Sequence, residues 1–313
     1  MDIKTILFQV IALFIMMGVG LLARKRGYMS DEAKRGMTDI LINIVTPAIV
    51  ISSFSGEFEH DKVSNALIVL AGAFIMHVIL CSLSFLLFKK EEKDRRAVLR
   101  FAFIFGNFGF IGFPVLQSLF GIDGVFYGAM FTAAFYMFSW TFGVSIFAKK
   151  TGIKDKLKSI FNIPFISVVV GFLMYISPFR LPDFLQSPVN AIGAMNTPLS
   201  MLIIGSSFAE IKFKEIFTEG KIYIVAAMRL LAVPVCAACI TALLNLSGIV
   251  SFHGIPYQVV IIEEAMPCAA YAAIFAAKFG SDVKFASKVV AIATAASVLT
   301  IPLAVTVVSL LGI

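Results

Sequence analysis

Long apolar segments alternate with short polar ones along the whole chain, and ten apolar segments can be distinguished. Each is close to the roughly 20 residues that an α-helix needs to cross about 30 Å of hydrocarbon. Charged and turn-forming residues bound the segments and leave short connections between them. The pattern therefore predicts ten transmembrane helices, TM1 to TM10. Their predicted bounds are 5–23, 36–55, 63–88, 98–119, 124–148, 161–177, 187–208, 220–246, 256–277 and 285–311.

Basic residues are concentrated in every second connection. Of the 26 Lys and Arg residues, 22 lie in or beside the connections that follow TM1, TM3, TM5, TM7 and TM9. The other side has only Lys4, Lys62 and Arg180, and Arg229 lies inside TM8. Because short basic connections remain in the cytoplasm, the alternation places the odd-numbered connections inside the cell and both termini outside. One helix more or fewer would destroy this alternation.

Composition excludes an ordinary soluble domain. The chain is 59% hydrophobic and 14% charged, whereas soluble domains have roughly 45–50% apolar and 25% charged residues. We therefore expect a multi-pass protein of the cell membrane, plasma or inner, surrounded by the lipid bilayer. The cytoplasmic connections explain the net charge of +7, so no nucleic-acid partner is expected. Cys236-x-x-Cys239 lacks a second ligand pair, and the sequence predicts no metal, no cofactor and no enzyme.

Motifs of the first half return in the second half in the same order. The matching residues are Pro47 and Pro198, Pro114 and Pro267, and Gly121 and Gly280, with offsets of 151, 153 and 159 residues. Each half contains five predicted spans, and an odd number of spans inverts the second half relative to the first. We therefore expect an all-α integral membrane fold of ten transmembrane helices. Residues 1–150 would form the first five-helix repeat and residues 151–313 the inverted second repeat.

Two predicted spans at corresponding positions are poor continuous helices. TM4 contains three glycines and a proline within Gly106–Pro114, and TM9 contains Glu263-Glu264-Ala265-Met266-Pro267. Non-helical backbone at membrane depth is tolerated where it lines a cavity, so two matched breaks predict a substrate site near the midplane. Crossed half-helices would direct partially positive N-termini at that site, which favours an anionic substrate. The alternative is that the glycines allow close helix packing and the prolines only bend the helices.

Ionisable residues within the predicted spans are few, because placing a charged side chain in hydrocarbon costs free energy. Glu263 and Glu264 precede the break in TM9, where a buried carboxyl group could carry a proton or bind a cation such as Na⁺. Glu264 is favoured because it is nearer to Pro267; the alternative is that the pair is hydrated at a helix end. Arg229 could be the countercharge for a carboxylate substrate, could pair with a glutamate, or could extend to the interface.

Three further polar residues lie at suggestive positions. His77 in TM3 precedes Arg229 by 152 residues and is a candidate for proton coupling, although a histidine with a purely structural hydrogen bond inside the bundle is the favoured explanation. Asn43 and Asn196 precede the matched prolines of TM2 and TM7. Their amides could satisfy freed backbone groups or contact the substrate.

Several motifs, taken together and in order, resemble the auxin efflux carrier family. They are Asn107-x4-Gly112-x-Pro114, Arg229-x4-Pro234, Met266-Pro267 and Phe275-Ala276-Ala277-Lys278. This family includes plant auxin exporters and bacterial permeases for small organic acids, and the resemblance covers essentially the whole chain. It implies a fold similar to that of bile-acid symporters and sodium/proton antiporters, in which broken helices 4 and 9 cross.

The resemblance also implies how the helices divide. TM1, TM2, TM6 and TM7 would form a scaffold that mediates a homodimer, and TM3–TM5 with TM8–TM10 would form a transport unit that moves in an elevator-like manner. Asn107 would contact the substrate, and Pro114 and Pro267 would shape the crossing. Our substrate-binding candidates are Asn107, Phe108, Gly109, Pro114, Met266, Pro267, Asn43, Asn196 and Arg229. The candidates for H⁺ or Na⁺ coupling are Glu263, Glu264 and His77.

Two departures from the plant members bear on the substrate. The connection at about Lys149–Ile160 is short, and Pro267 is followed by Cys268-Ala269-Ala270-Tyr271 without a second proline. A malate- or malonate-like acid is therefore favoured over auxin. We expect a secondary or facilitative transporter of a small organic anion. The alternatives are a bile-acid-type or cation/proton transporter with Na⁺ or H⁺ as principal cargo and, from another class, a membrane ligand sensor or enzyme.

Overall fold

A computed structural model of the protein describes residues 3–148, 159–209, 219–248 and 254–310. Within these ranges the regular structure is helical, apart from one isolated antiparallel pairing between two residues. Most of the predicted connection at Lys149–Ile160 lies outside the described residues, as do the basic residues Lys212 and Lys214 of the connection after TM7.

The first half of the chain contains the predicted spans TM1 to TM5. Its helices are α1 Ile3–Lys25, α2 Asp31–Ile40, α3 Thr46–Ser53, α4 His60–Ser84, α5 Lys93–Ile104, α6 Phe113–Phe138 and α7 Val144–Phe147. The helices of the second half are α8 Ile163–Ile176, α9 Asp183–Ala194, α10 Asn196–Phe208, α11 Gly220–Ala227, α12 Val233–Leu246, α13 Ile255–Glu264, α14 Tyr271–Phe279 and α15 Val283–Leu310.

Wide π-helical turns of five residues join several of these helices. They are Leu41–Val45, Phe108–Gly112, Ser139–Gly143 and Met228–Ala232. Three of the four are followed two residues later by a proline: Pro47, Pro114 and Pro234. A proline has no N–H to donate, and its ring collides with the carbonyl group one turn earlier. A turn closed by i→i+5 bonds relieves both conflicts without ending the helix, and such turns occur frequently at functional sites.

Within the described ranges, seven helical stretches are long and apolar enough to cross a membrane. They are Phe8–Lys25, Asp31–Ser53, His60–Ser84, Phe108–Phe147, Asp183–Phe208, Gly220–Leu246 and Val283–Ser309. The chain is therefore a multi-pass, all-α membrane protein. The structure differs from the predicted ten spans because TM6 is the shorter helix α8 and because TM4 and TM9 are interrupted. The total of ten stays a prediction.

Gly121 lies within the longest of these stretches. Phe108–Phe147 has 40 residues, about 60 Å of helix at 1.5 Å per residue, which is twice the hydrocarbon thickness. The backbone at Gly121 has φ 63° and ψ −144°, a non-helical conformation that only glycine adopts readily. The stretch therefore turns at Gly121, close to the predicted boundary between TM4 and TM5.

The helices pack in two groups that also contact each other. In the first group, α1 packs along α10, and α3 packs against α8 and α9. A side chain at Gly20 or Gly205 would collide with the backbone of the opposite helix, so glycine permits the close approach of α1 and α10. In the second group, α6 packs against α4 and α13, and α14 against α15. Most of the fully buried aromatic side chains, among them Phe105, Phe108 and Phe131, lie in this second group.

Ion pairs join segments that are far apart in the sequence. The pairs are Arg95 with Glu219 (3.1 Å), Arg95 with Asp282 (3.7 Å), Lys221 with Glu91, and Lys62 with Asp123. The first three join the starts of α5, α11 and α15, which the charge pattern assigns to the cytoplasmic side. The fourth joins the start of α4 to the turn at Gly121, which the charge pattern assigns to the outer side.

Candidate functional site

Two broken helices contact each other through their backbones. Helix α5 ends at Ile104 and α13 ends at Glu264, as the sequence predicted for the two breaks. The Asn107 N–H donates to the Pro267 carbonyl (2.7 Å), and the Ala269 N–H donates to the Phe105 carbonyl (2.9 Å). Backbone polar groups need partners at membrane depth. Each broken segment therefore supplies the partners that the other one lacks.

Four half-helix ends meet at this crossing. The C-termini of α5 and α13 carry partial negative charge, and the N-termini of the Phe108–Gly112 turn and of α14 carry partial positive charge. The first N–H groups of a helix have no acceptor within that helix. The two N-termini are therefore a ready-made environment for an anion.

Arg229 occupies the negative side of the crossing. Its side chain is fully buried, Nε donates to the Met266 carbonyl (3.1 Å), and Nη1 donates to the Ile104 carbonyl (3.2 Å). Nη1 also forms an ion pair with Glu264 Oε2 at 2.8 Å. The guanidinium group therefore satisfies carbonyl groups at both C-terminal ends and neutralises one carboxylate. Of the three roles considered for Arg229, this structure shows the pairing with a glutamate.

Glu263 forms no ion pair with any described residue, Arg229 included, and lies against α6. It is fully buried, and neither carboxyl oxygen has a hydrogen-bond partner in the described part of the chain. A Cβ atom at Gly112 would overlap Glu263 Oε2, and one at Gly128 would lie 3.2 Å from Oε1. Two glycines, one on each side of the turn at Gly121, thus make the space that the carboxyl group fills.

A small cavity lies at the positive side of the crossing. Its volume is about 10 Å³, room for about one water molecule. It is lined by Ile42, Thr46, Gly106, Asn107, Phe108, Gly109, Phe110, Phe135, Tyr136, Pro164 and Tyr271. These residues come from both packing groups. A substrate of several heavy atoms does not fit without movement, so the cavity is closed to such a molecule.

The substrate-binding candidates are distributed unevenly around this cavity. Asn107, Phe108 and Gly109 line it. Met266 and Pro267 are part of the crossing behind it, where their carbonyl groups accept hydrogen bonds from Arg229 and Asn107. Pro114 is buried in the first turn of α6 and follows the π turn that lines the cavity.

The remaining candidates lie away from the cavity wall. Asn43 is exposed, and its amide donates to the Asp39 carbonyl (2.9 Å). Asn196 is fully buried at the start of α10, and neither atom of its amide has a hydrogen-bond partner in the described ranges. His77 is also buried; its Nδ1 lies 2.8 Å from the Ala73 carbonyl, and its ring packs among phenylalanines, including Phe108.

Sequence reasoning missed several residues that line the cavity. Thr46 precedes the repeated proline Pro47 but was not itself a candidate, and Tyr271 was considered only as part of the segment after Pro267. Tyr136 was not singled out, although a phenol inside an apolar span indicates a polar surface nearby. The hydroxyl groups of Thr46, Tyr136 and Tyr271 add hydrogen-bonding capacity to the wall.

The chain matches one protein family along almost its whole length. The family described as membrane transport protein matches residues 5–156 and 149–305. An uncharacterized transporter of Methanocaldococcus jannaschii is 23% identical over 308 residues, which are 94% of this chain and 96% of that protein. An uncharacterized transporter of Methanothermobacter thermautotrophicus is 21% identical over 305 residues, 94% of this chain and 95% of that protein. The matches confirm the resemblance of the motifs: the chain belongs to the auxin efflux carrier family of membrane transport proteins.

Proposed function

We propose that this transporter carries a small organic anion through the cavity at the helix crossing. The observation that carries the proposal is the separation of charge there. Arg229 and Glu264 neutralise each other on the side of the two C-termini, whereas the cavity faces the N-terminus of the Phe108–Gly112 turn and the first residue of α14. The electrostatic potential in the cavity therefore favours an anion.

The composition of the cavity wall suits a carboxylate with a carbon skeleton. Phe110 and Phe135 offer apolar surface, and the Asn107 amide and the Thr46 and Tyr271 hydroxyl groups offer hydrogen bonds. Pockets for small organic ligands combine an apolar lining with a few polar groups in this way. A malonate- or malate-like acid matches the chemistry of such a wall.

Alternating access is the mechanism that we propose. Ile42, Thr46 and Pro164 belong to elements of the first packing group, whereas Asn107 and Tyr271 belong to the second. Movement of one group against the other would open the closed cavity, first to one side and then to the other. The two groups correspond to the scaffold and the transport unit that the family resemblance implies.

The same proposal includes ten spans in two inverted repeats, with both termini outside the cell membrane. The turn at Gly121 and the interrupted α13–α14 segment support this number. The ion pairs support it as well, because each joins connections that the charge pattern assigns to one side. A homodimer through the scaffold rests on the family resemblance. Exposed apolar side chains on α1, such as Phe8, Ile15 and Leu22, provide surface for lipid or a second copy.

A cation carrier is the second candidate, and buried Glu263 is the observation that favours it. Cation carriage would be better supported by acidic residues in both broken segments, but 105–114 contains none. Glu264 is already neutralised by Arg229. We therefore rank the organic-anion carrier first.

Asn107 provides the test of the anion site. In detergent, we expect malonate to raise the melting temperature of the wild-type protein, because a ligand that binds only the folded state stabilises it by RT ln(1 + [L]/Kd). Asn107→Ala should reduce this shift strongly, since the side chain lines the cavity. Asn43→Ala is the matched control, because Asn43 is exposed outside the cavity, and it should keep the shift.

Two outcomes would contradict the proposed function. Stabilisation by Na⁺ but by none of a panel of small carboxylates would favour the cation carrier. An equal loss of the malonate shift in Asn43→Ala and Asn107→Ala would remove the assignment of the site to this cavity.

A further inference from the structure

Glu263 is a fully buried carboxyl group for which the described part of the chain offers no hydrogen-bond or ion-pair partner. An unpartnered carboxylate is strongly unfavourable in an apolar interior, whereas the neutral acid is far less so. Its immediate neighbour Glu264 is equally buried but has the Arg229 guanidinium at 2.8 Å. The two adjacent glutamates therefore face different environments, and only Glu264 is electrostatically compensated.

The space around Glu263 suits a proton better than a metal cation. The carboxyl group lies between Gly112 and Gly128, and a Cβ atom at Gly128 would also meet Leu116 Cδ1 and Phe113 Cδ1. These neighbours present C–H groups to the carboxyl group. A hard cation such as Na⁺ needs several oxygen ligands around it, and no cluster of acidic or other metal-ligating side chains is found among the described residues.

Among the described residues, no ionisable group on the elements packed against α13 forms an ion pair or hydrogen bond with Glu263. The Arg229 charge is shared with Glu264 and two carbonyl groups. Tyr136 of α6 is neutral in its ordinary state and faces the cavity. His77 of α4, whose ring packs among phenylalanines, and Lys284 and Lys288, in the first two turns of α15, are also on these elements. So are His60, Asp61 and Lys62 at the start of α4, Asp123 and Tyr127 of α6, and Cys236 and Cys239 of α12.

The position of Glu263 connects it to the anion site. Its carboxyl group touches Gly112, the last residue of the π turn whose first residues line the cavity. A rise of 1.5 Å per residue places Gly112 about 6–8 Å from the start of that turn. We propose that Glu263 binds a proton and that this proton moves together with the organic anion. The joint movement of proton and anion rests on the proposed function, whereas proton binding by Glu263 does not.

Electrostatics gives the direction of the coupling. An ionised Glu263 would add a negative charge near the bound anion, whereas a protonated Glu263 would not. At about 8 Å and an effective dielectric constant of about 20, the repulsion lowers anion affinity about 30-fold. Anion affinity is therefore high at low pH and decreases as the pH rises and Glu263 loses its proton. By linkage, the bound anion strengthens proton binding by the same factor.

Infrared spectroscopy tests proton binding without any substrate. A protonated carboxyl group has a C=O stretching band separate from the bands of carboxylates. In purified protein at pH 7.5 with choline as the only added cation, we expect this band in the wild type. It should be absent from Glu263→Gln, whose neutral side chain has the same shape. Glu57→Gln, at an exposed position between α3 and α4, is the matched control and should keep the band.

Three infrared results would overturn the proton site. They are the absence of the band in the wild type, its persistence in Glu263→Gln, and its loss when Na⁺ replaces choline. The first and third results come from the wild type, so the test holds even if Glu263→Gln folds poorly.

Malonate binding tests the coupling. Between pH 6.5 and a pH at which the infrared band of the wild type has disappeared, the malonate Kd of the wild type should rise by up to about 30-fold, the limit set by the Coulomb repulsion, and the Kd of Glu263→Gln should not change. Equal pH dependence in both proteins overturns the coupling. If the wild type binds no malonate at either pH, the proposed substrate class fails, and the infrared band alone then decides whether Glu263 is protonated.

Discussion

At the scale of single residues, neighbours in the sequence have different roles at the crossing. Glu263 and Glu264 are adjacent, and residues of a helix are rotated by about 100° from one to the next. Glu264 consequently faces Arg229, and Glu263 faces the glycines of the next helix. Sequence reasoning favoured Glu264 as the coupling residue because of its distance to Pro267. The structure pairs Glu264 with Arg229 and gives Glu263 no partner among the described residues.

Gly112 and Gly109 lie in the same turn and allow a controlled steric test. A Cβ atom at Gly112 would overlap the Glu263 carboxyl group, whereas one at Gly109 would lie 3.7 Å from the Tyr136 hydroxyl, an ordinary contact. We expect Gly112→Ala to destabilise the protein by about 1–3 kcal/mol, the usual cost of overpacking. Gly109→Ala should be neutral or slightly stabilising, because alanine favours the helix.

The measurement is the melting temperature of each purified variant in the same detergent. Equal losses in Gly112→Ala and Gly109→Ala would show that the space at Gly112 is not reserved for the carboxyl group.

At the scale of helices, the recurrent structural feature is a wide π turn before a proline. Such turns precede Pro47, Pro114 and Pro234. The first two bring Thr46 and Asn107 to the cavity, and the third contains Arg229. Because a π turn adds one residue to the turn, every side chain after it is rotated by about 100° relative to a regular helix.

Pro114→Ala tests whether the π turn before this proline positions the anion site. Alanine restores the missing N–H donor, so the Phe108–Gly112 turn can relax towards regular helix and reorient the N–H groups that face the cavity. We expect the folded protein to keep or gain thermal stability but to lose most of the malonate-induced shift.

Pro302 provides the control for the loss of a proline as such. It lies inside α15 without a π turn before it, so Pro302→Ala should keep the malonate shift. An undiminished shift in Pro114→Ala would show that the π turn does not position the anion site.

At the scale of the whole molecule, the cavity is closed between two groups of helices. Ile42, Thr46 and Pro164 form one wall, and residues of the crossing and of α6 form the other. The walls leave room for about one water molecule, so binding of an organic acid requires that they separate. The crossing itself is held by backbone hydrogen bonds and by Arg229, and we expect it to move as a unit.

Cysteine labelling tests this opening. In a variant without the four native cysteines, Thr46→Cys should react slowly with a small water-soluble thiol reagent, because Thr46 is buried in the closed cavity. Malonate exchange across proteoliposomes should accelerate the reaction several-fold, since each transport cycle would expose the cavity. The exposed control Glu57→Cys should react rapidly with or without malonate. An unchanged rate at Thr46→Cys during exchange would contradict alternating access at this cavity.

The membrane class, the positions of the two breaks and the turn at Gly121 could all be predicted from the sequence. These features depend on local properties: the hydrophobicity of a segment, the missing N–H of proline and the conformational freedom of glycine. The family could be recognised for a related reason, since its motifs surround the same breaks. The candidates Asn107, Phe108 and Gly109 could be placed at the cavity because they belong to a break.

Only the tertiary structure decided which side chains share a space. It placed Thr46 rather than Asn43 at the cavity, brought Arg229 to the carbonyl groups of Ile104 and Met266, and left Glu263 between two glycines. These relations depend on the rotation of each helix about its axis and on the partner helix that it meets. A π turn changes that rotation by a residue, and residues more than a hundred positions apart supply the partner. The apolar pattern that predicts a span specifies neither the rotation of the helix nor the helix against which it packs. The chemistry of the crossing could therefore be determined only from the tertiary structure.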